Sequence, residues 1–386
     1  MDEKIEKKEN PRAEIDAIDD ELLRLLNKRA AIALRVGEVK RRTNTSLCDP
    51  QRETEVLTRL NERNFGPLDE QSVSSIFQRV IDECLHIQQR AFHQSADSNA
   101  ESDGIKFTGK ERVAFLGERG TFSEEAAKRL LGESCETVSR PTFEDLFTAI
   151  DEGVADYILA PFENSLVGSV HRCHDLLLES SLGIAAEIIL PISHFLIGCD
   201  RASLESIEIV ESHPVALAQC ERFFAAYPRI KRVATNDTAG SVRRVVENGD
   251  LSRAAIAGKR AATIYNGSIL KEHLEDHAEN YTRFILLAEK PETSEQGRKI
   301  SLIVRLANRP GALHDALRPF VRRGIDLLRI ESRPVKELPW QYNFYLDLQI
   351  PANESELWGA LNEIGEQAEA VRYLGRYSTV NVPNDR

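Results

Sequence analysis

The chain has 386 residues, 41% of them hydrophobic, which favours globular packing over more than one core and predicts two or three domains. The net charge of −12 argues against general nucleic-acid binding, and no uninterrupted apolar stretch is long enough to cross a bilayer. The charged N-terminus has no apolar export core, and six scattered cysteines without a Cys-x-x-Cys pair favour free thiols, so we expect a cytoplasmic protein.

The first predicted element is one long helix between Asn10 and Arg42. Its apolar residues recur at alternating spacings of three and four, so they form one stripe: Ile15, Ile18, Leu22, Leu25, Ile32, Val36 and Val39. Arg29 interrupts this stripe, and Lys40 lies about 20° past three whole turns from it. Burying an unpaired cation costs several kcal/mol, so a carboxylate has to meet these groups. It belongs either to a polyanionic small molecule or to a helical interface whose register it fixes.

Residues 11 to 93 read as an all-α segment of three helices. Asp49 before Pro50 predicts an N-cap with proline at the first helical position, and Asp69 caps the third helix. The first helix, about 48 Å long, is too long for one chain to bury its stripe, which predicts a homodimer or higher homo-oligomer.

Polar residues on the second and third helices complete a predicted pocket. Arg52 and Glu53 lie near the inward face of the second helix, and Cys84 and Gln88, four residues apart, share a face of the third. Together with Arg29 and Lys40 these residues form a predicted site that contains no nucleophile paired with a general base. Such a site enforces a ligand's conformation and stabilises charge that develops during a rearrangement.

These residues, in this order, resemble the helical chorismate mutase domain. The matching positions are Arg12, Arg29, Lys40, Asp49, Arg52, Glu53 and Gln88. The resemblance implies that Arg29 and a partner's Arg12 hold the two chorismate carboxylates, while Lys40 and Gln88 stabilise charge on the breaking ether oxygen. Glu53 would receive the substrate hydroxyl, supported by Asp49 and Arg52. Cys84 stands where the family commonly has serine, and a thiol is the weaker hydrogen-bond donor.

Linker composition, rich in Ser, Asp, Asn and Gly, follows from His93 to Lys110. Short apolar runs then alternate with helical stretches, which is an α/β pattern. The runs end in polar or glycine-containing loops at Gly117 to Ser123, Glu163 to Gly168 and Ser212 to Pro214. Open α/β sheets bind ligands in such loops.

Asn280 to Phe284 form a polar cluster that runs into an apolar stretch, so Thr282 and Arg283 stand at a strand's entrance. Alone this is a weak indication, since threonine before a strand is ordinary. Together with the preceding loops it resembles the prephenate dehydratase family, whose most specific mark is the Thr-Arg-Phe triplet. The resemblance implies a two-lobed α/β fold of the periplasmic-binding-protein kind, with prephenate bound between the lobes.

Thr282 is the candidate hydrogen-bond donor to the hydroxyl that departs from prephenate. The residues expected to orient the substrate are Asn164, Ser165, Ser212, Gln219 and Arg283. His171 and His174 alone do not make a metal site, which requires three or four convergent ligands. Neither implied reaction requires a metal or another cofactor.

The C-terminal segment reads as strand, helix, strand, strand, helix, strand, an α+β ferredoxin-like module. Gly311, Ala312 and Leu313 begin its first helix, and Glu331, Ser332, Arg333 and Pro334 end its second strand. A tight turn and an edge strand ended by proline explain each motif alone equally well. Together they resemble the ACT regulatory domain of phenylalanine-sensitive dehydratases, which implies an inhibitor site between paired ACT domains.

The three resemblances define a multidomain chain: a helical mutase domain at 1–95, a linker at 96–110, a dehydratase domain at 111–292 and an ACT domain at 299–380. Their order is that of the bifunctional mutase and dehydratase family of phenylalanine biosynthesis. We expect conversion of chorismate to prephenate and then to phenylpyruvate, with inhibition by phenylalanine. The alternatives are an amino-acid sensor without catalysis and a dehydratase that prefers arogenate.

Overall fold

The computed structural model describes residues 11–42, 50–74, 76–77, 80–81, 84, 87, 107–291, 297–336, 338–351 and 353–383. Two compact units make up the chain, Met1–Glu101 and Ser102–Arg386. None of the described helices is both long and apolar enough to cross a membrane. The described residues also contain no group of three or more His, Cys, Asp or Glu side chains that could hold a metal ion.

The first unit is helical, as predicted. It contains α1 (Pro11–Arg42), α2 (Pro50–Glu62) and α3, of which residues 70–74, 76–77, 80–81, 84 and 87 are described. Asp69 accepts a hydrogen bond from the Ser72 N–H at 2.7 Å, which confirms the predicted cap of α3. The apolar stripe of α1 is 44–60% exposed in the single chain. Its coverage by a second chain stays a prediction.

A seven-stranded sheet forms the first lobe of the second unit. Its elements, numbered in chain order, are β1 (Arg112–Leu116), α4 (Phe122–Leu131), β2 (Glu136–Arg140), α5 (Phe143–Thr148), β3 (Tyr157–Asn164), β4 (Gly168–Ser169), α6 (His171–Glu179), β5 (Gly183–Pro191), β11 (Tyr281–Ala288) and β16 (Thr379–Asn381). The strand order is β16-β5-β11-β3-β1-β2, with β4 paired to β3. Strand β11 is antiparallel to both of its neighbours, β3 and β5.

A five-stranded sheet forms the second lobe. Its elements are β6 (Phe195–Gly198), β7 (Ile209–Ser212), α7 (Pro214–Ala218), α8 (Glu221–Ala226), β8 (Lys231–Ala234), α9 (Ala239–Asn248), β9 (Arg253–Ala257), α10 (Lys259–Tyr265) and β10 (Ser268–Lys271). The strand order is β10-β6-β9-β7-β8. The chain crosses between the lobes twice, after β5 and before β11. This connectivity confirms the predicted two-lobed α/β fold.

The loop between β1 and α4 joins the two lobes. Arg243 on α9 donates to both carboxylate oxygens of Glu118, at 2.7 and 2.9 Å. Gly120 has a φ of +87°, and a Cβ at this position would lie 3.0 Å from the Cα of Ala261. Any side chain at residue 120 would therefore push the lobes apart.

The C-terminal module is ferredoxin-like, as predicted. Its elements are β12 (Lys299–Arg305), α11 (Ala312–Arg322), β13 (Leu327–Pro334), β14 (Tyr342–Gln349), α12 (Glu354–Gln367) and β15 (Ala370–Tyr377), with strand order β13-β14-β12-β15. One face of this sheet packs on α11 and α12. The other face packs on the first lobe, because Ile303, Tyr345 and Tyr377 belong to that lobe's hydrophobic core.

His174 lies buried where this sheet meets the first lobe. Its ring stacks on Phe162 with centroids 3.9 Å apart and meets the edge of Tyr345 at 5.1 Å. Nδ1 lies 3.0 Å from the Val170 carbonyl oxygen, and Arg329 donates to Nε2 at 3.1 Å. The ring is therefore neutral, with its proton on Nδ1. Burial lowers the pKa of His174 from its usual 6.5 to about 4.

Acidification is expected to weaken this interface through His174. Because the folded state has the lower pKa, the unfolded state binds the proton first, and stability falls as pH falls from about 6.5 towards about 4. Between about pH 7 and about pH 5 the histidine accounts for about 2 kcal/mol of lost unfolding free energy. Urea unfolding of the His174→Gln variant checks this, because its stability should change less with pH than that of the wild type. The exposed His277, changed to Gln, is the control, and an equal pH dependence in all three proteins would contradict the assignment.

Candidate active sites

Helix α1 carries Arg29 and Lys40 on its one half-buried face, while the rest of the helix is more exposed in the single chain. Arg29 Nη1 donates to the Val80 carbonyl oxygen at 3.1 Å and to Cys84 Sγ at 2.8 Å. Both acceptors are neutral groups of α3. Among the described residues no carboxylate lies within ion-pair distance of Arg29.

The other predicted mutase residues differ in how far they are buried. Cys84 is buried against Arg29, Lys40 is half-buried, and Arg12 is exposed near the start of α1. In the single chain the Arg52 side chain is 59% exposed and pairs with Glu55 at 2.8 Å, one turn along the same helix, and its place in the mutase pocket stays a prediction. Asp49, Gln88 and the side chain of Glu53 lie outside the described residues.

Thr282 and Asn164 face each other across neighbouring strands. They are register partners in the β11 and β3 pair, and Asn164 Nδ2 donates to Thr282 Oγ1 at 3.0 Å. The direction of this bond is fixed, because Asn164 Oδ1 accepts the backbone N–H groups of Leu166 and Val167, each at 3.0 Å. The Thr282 oxygen therefore acts as an acceptor here, and its own proton is not donated to any of the described residues.

Gln219, on the second lobe, joins this pair through Asn280. Asn164 Nδ2 also donates to Asn280 Oδ1 at 2.9 Å, and Asn280 Nδ2 donates to Gln219 Oε1 at 3.1 Å. His194 Nε2 lies 2.9 Å from the same Gln219 oxygen. Sequence reasoning did not assign a role to Asn280 or His194. The position of Asn280 two residues before Thr282 was the available indication.

Two serines predicted to bind prephenate are used within the protein. Ser165 Oγ donates to the Glu279 carbonyl oxygen and accepts the Tyr281 N–H, both at 2.9 Å, so it braces the start of β11. Ser212 is buried in the second lobe and donates to the Ile256 carbonyl oxygen at 2.5 Å. Within the described part of the chain neither serine is hydrogen-bonded to Thr282, and their contact with substrate stays a prediction.

The Arg283 side chain has partners within the protein, and its predicted role in orienting prephenate stays a prediction. Successive side chains of a strand point to opposite faces, so Arg283 points away from the face of Thr282. Its guanidinium donates to Glu187 and Asp347, each at 2.6 Å, and to the Tyr377 hydroxyl at 3.0 Å. Burial opposes the charge, but Glu187, Tyr377 and Asp347 together raise the pKa of Arg283. The charge of Arg283 is therefore neutralised by carboxylates of the protein itself. One of them, Asp347, belongs to the C-terminal module.

The C-terminal module also contacts the neighbour of Asn164. Glu163 is the register partner of Arg283, and its Oε2 forms an ion pair with Nε of Arg329 on β13 at 2.9 Å. Asn164 and Thr282 form one pair of the ladder, and their side chains lie on one face of the sheet. The adjacent pair, Glu163 and Arg283, has its side chains on the opposite face. This second face is held by the C-terminal sheet.

The four residues at the end of β13 divide between two faces. Glu331 accepts a hydrogen bond from Ser169 at 2.9 Å, and Arg333 donates to both oxygens of Asp175, at 2.9 and 3.1 Å. These two side chains thus contact the first lobe. Ser332 and Pro334 alternate with them and are exposed. Their predicted contact with phenylalanine remains a prediction, whereas the side chains of Glu331 and Arg333 are engaged elsewhere.

Gly311 precedes α11 in the left-handed conformation, with a φ of +81°, which explains why glycine stands there. Ala312 and Leu313 follow in the first turn of the helix and are half-buried. The start of α11 is thus where the sequence predicted it, at the Gly-Ala-Leu motif.

Comparison with known proteins decides the family. The chorismate mutase type II profile matches residues 11–89, the prephenate dehydratase profile residues 113–292, and the ACT domain profile residues 300–365. The bifunctional chorismate mutase/prephenate dehydratase of Neisseria gonorrhoeae is 36% identical over 366 residues, 95% of each chain. This chain belongs to the bifunctional chorismate mutase/prephenate dehydratase family.

Other relatives agree with this assignment. The Escherichia coli K12 protein of the same description is 32% identical over 97% of this chain and 98% of its own. Among solved structures, the prephenate dehydratase of Arthrobacter aurescens in complex with L-Phe matches with a TM-score of 0.64 and 30% identity. The match covers 69% of this chain and 90% of that one.

Proposed function

We propose that the chain rearranges chorismate to prephenate in residues 1–95 and converts prephenate to phenylpyruvate in residues 111–292, after a linker at 96–110. Phenylalanine bound by residues 299–380 inhibits the second reaction. The reactions take place in the cytoplasm, in a homodimer or higher homo-oligomer. The observation that carries the proposal is the Thr282 hydroxyl, held by Asn164 at 3.0 Å with its proton kept for a ligand.

In the mutase site the protein binds and orients. Arg29, which has only neutral acceptors among the described residues, holds one chorismate carboxylate, and Arg12 of a partner subunit holds the other. Lys40 and Gln88 stabilise negative charge on the ether oxygen as its bond breaks. Donors already in place before the reaction stabilise such charge without reorganising. Glu53 receives the substrate hydroxyl, with Asp49 and Arg52 in support.

In the dehydratase site one electron pair moves across the substrate ring. The bond to the ionised carboxylate breaks, carbon dioxide leaves, and the electron pair completes the aromatic ring as the hydroxyl departs. The Thr282 O–H donates to that departing oxygen, which leaves as water after protonation from solvent. Because a neutral hydroxyl is a weak acid, its contribution is hydrogen bonding to the developing charge.

Regulation follows from the two faces of β13. Phenylalanine binds between paired ACT domains, at the motif of Gly311, Ala312 and Leu313 and at the exposed residues Ser332 and Pro334 of this strand. The opposite side of the strand contacts the first lobe through Arg329 and Arg333. A shift of β13 therefore reaches Glu163, the neighbour of Asn164. The solved relative bound to L-Phe supports phenylalanine as the ligand.

The Arg333→Ala variant is expected to raise the phenylalanine concentration for half-inhibition of the dehydratase by about tenfold. The reason is loss of the bidentate ion pair to Asp175, which joins β13 to α6. Turnover without phenylalanine should change much less. Arg318→Ala, at an exposed position of α11, is the matched control and should inhibit like the wild type. Equal inhibition in all three proteins would contradict this role for β13.

The proposed function is tested with the purified full-length protein. Chorismate consumption and phenylpyruvate formation are followed with and without phenylalanine, and both are expected, the second being inhibited. A sensor would bind phenylalanine but consume neither chorismate nor prephenate. Faster turnover of arogenate than of prephenate would replace the proposed substrate of the second site.

A further inference from the structure

We infer that Asn280 and His194 are positioning residues for prephenate turnover, which together fix the side-chain amide of Gln219 so that its N–H groups face the substrate. The inference rests on the proposed dehydratase site and adds two residues to it. Both are enclosed: Asn280 is 0% exposed and His194 is 2% exposed. They occupy the two segments through which the chain crosses between the lobes.

The orientation of the amide chain starts at the backbone. The N–H groups of Leu166 and Val167 can only donate, so the atom of Asn164 that they contact is its carbonyl oxygen. Asn164 must then donate to Asn280, whose own oxygen accepts. Asn280 in turn donates through Nδ2 to Gln219 Oε1 at 3.1 Å. Each amide therefore fixes the direction of the next.

His194 supplies a second donor to the same Gln219 oxygen, at 2.9 Å. An amide oxygen carries no proton, so the proton in this bond belongs to His194 Nε2. Turning the Gln219 amide over would bring its N–H group against these two donors. The bonds from Asn280 and His194 thus hold Gln219 in one of its two amide orientations.

The consequence lies on the other side of the Gln219 amide. Its Nε2 is buried, and within the described residues it has no hydrogen-bond partner. Native proteins rarely leave an enclosed donor unpaired, so its two N–H groups fit an acceptor oxygen of a bound molecule. With the Thr282 hydroxyl, which belongs to the same hydrogen-bonded cluster, this gives donors suited to an oxygen-rich anion such as prephenate.

The test compares Asn280→Asp with Asn280→Ala by measuring kcat and KM for prephenate from about pH 5 to about pH 8, with the uncatalysed reaction subtracted. An ionised carboxyl cannot donate to Gln219 Oε1, so Asn280→Asp is expected to lower kcat/KM by about 100-fold at neutral pH. Residue 280 is fully enclosed, and burial raises the pKa of the introduced carboxyl from its ordinary value of about 4. At the acidic end this carboxyl becomes protonated, can donate again, and should restore most of the loss. The kcat/KM of Asn280→Ala should fall by about tenfold and should show no such recovery in acid.

A second variant tests His194. The ring of His194 meets Phe122 edge-on with centroids 5.8 Å apart, so His194→Phe keeps an aromatic ring in place and removes the donor. Its kcat/KM is expected to fall by about tenfold, without recovery in acid. Circular dichroism and thermal melting confirm that each variant is folded.

The possible outcomes separate this inference from the proposed function. A wild-type protein that does not turn over prephenate would overturn the proposed function. With an active wild type, the inference is overturned if Asn280→Asp retains kcat/KM within about threefold, or if its loss does not recover in acid. An unchanged His194→Phe protein would remove His194 from the inference.

Discussion

Replacing Thr282 with alanine should lower prephenate turnover by about 100- to 1000-fold, the usual cost of removing one preorganised donor from a developing negative charge. The effect should appear in kcat more than in KM, because the hydrogen bond strengthens as the hydroxyl departs. A spectrophotometric assay of phenylpyruvate formation measures both constants. Chorismate consumption should be unchanged, since the helical unit is a separate body.

Thr282→Ser is the matched control for this variant. It keeps the hydroxyl that accepts from Asn164 at 3.0 Å in the wild type, so it should retain activity within about tenfold. If Thr282→Ala and Thr282→Ser were equally active, the donor would have to be another group. If both were equally inactive, the methyl group and strand packing would matter more than the hydroxyl.

Replacing Lys40 with alanine is expected to reduce chorismate turnover by about 100-fold or more, while prephenate turnover stays at the wild-type level. The expected cause is loss of the cation that stabilises the breaking ether oxygen. Chorismate disappearance at saturating substrate is the measurement. Lys40, like Arg29, is half-buried on α1, as expected of a lysine that faces a bound substrate.

Lys28→Ala, on the exposed side of the same helix, is the control for Lys40. It removes the same side chain and the same positive charge at an exposed position. A similar loss in both variants would indicate a general effect of helix charge rather than a pocket. Loss of prephenate turnover in Lys40→Ala would contradict the independence of the two sites.

The sequence predicted the architecture well because periodicity and composition are local properties. Alternation of short apolar runs with helices specified the two-lobed region, and the strand and helix order specified the ferredoxin-like module. The contact of Arg29 with Cys84 also follows from helix geometry, since each residue lies on the inward face of its helix.

The faces of side chains near β11 were less predictable. Thr282 and Arg283 belong to one family motif, and a motif in a sequence does not state which of its residues point to the same side. Strand geometry separates them, and the partners of Arg283 come from residues 96 and 64 positions away along the chain. The roles of Asn280 and His194 were not predicted, because their contacts join residues that are distant in the sequence. Only the folded chain brings His194 Nε2 within 2.9 Å of Gln219 Oε1.

We propose that one chain holds two chemically independent sites that act in sequence. The decisive experiment is a time course in which the Thr282→Ala protein receives chorismate at neutral pH and the products are identified by nuclear magnetic resonance. Prephenate is expected to accumulate in step with chorismate loss, with little phenylpyruvate. Phenylpyruvate appearing at the wild-type rate, or chorismate remaining unconsumed, would contradict it.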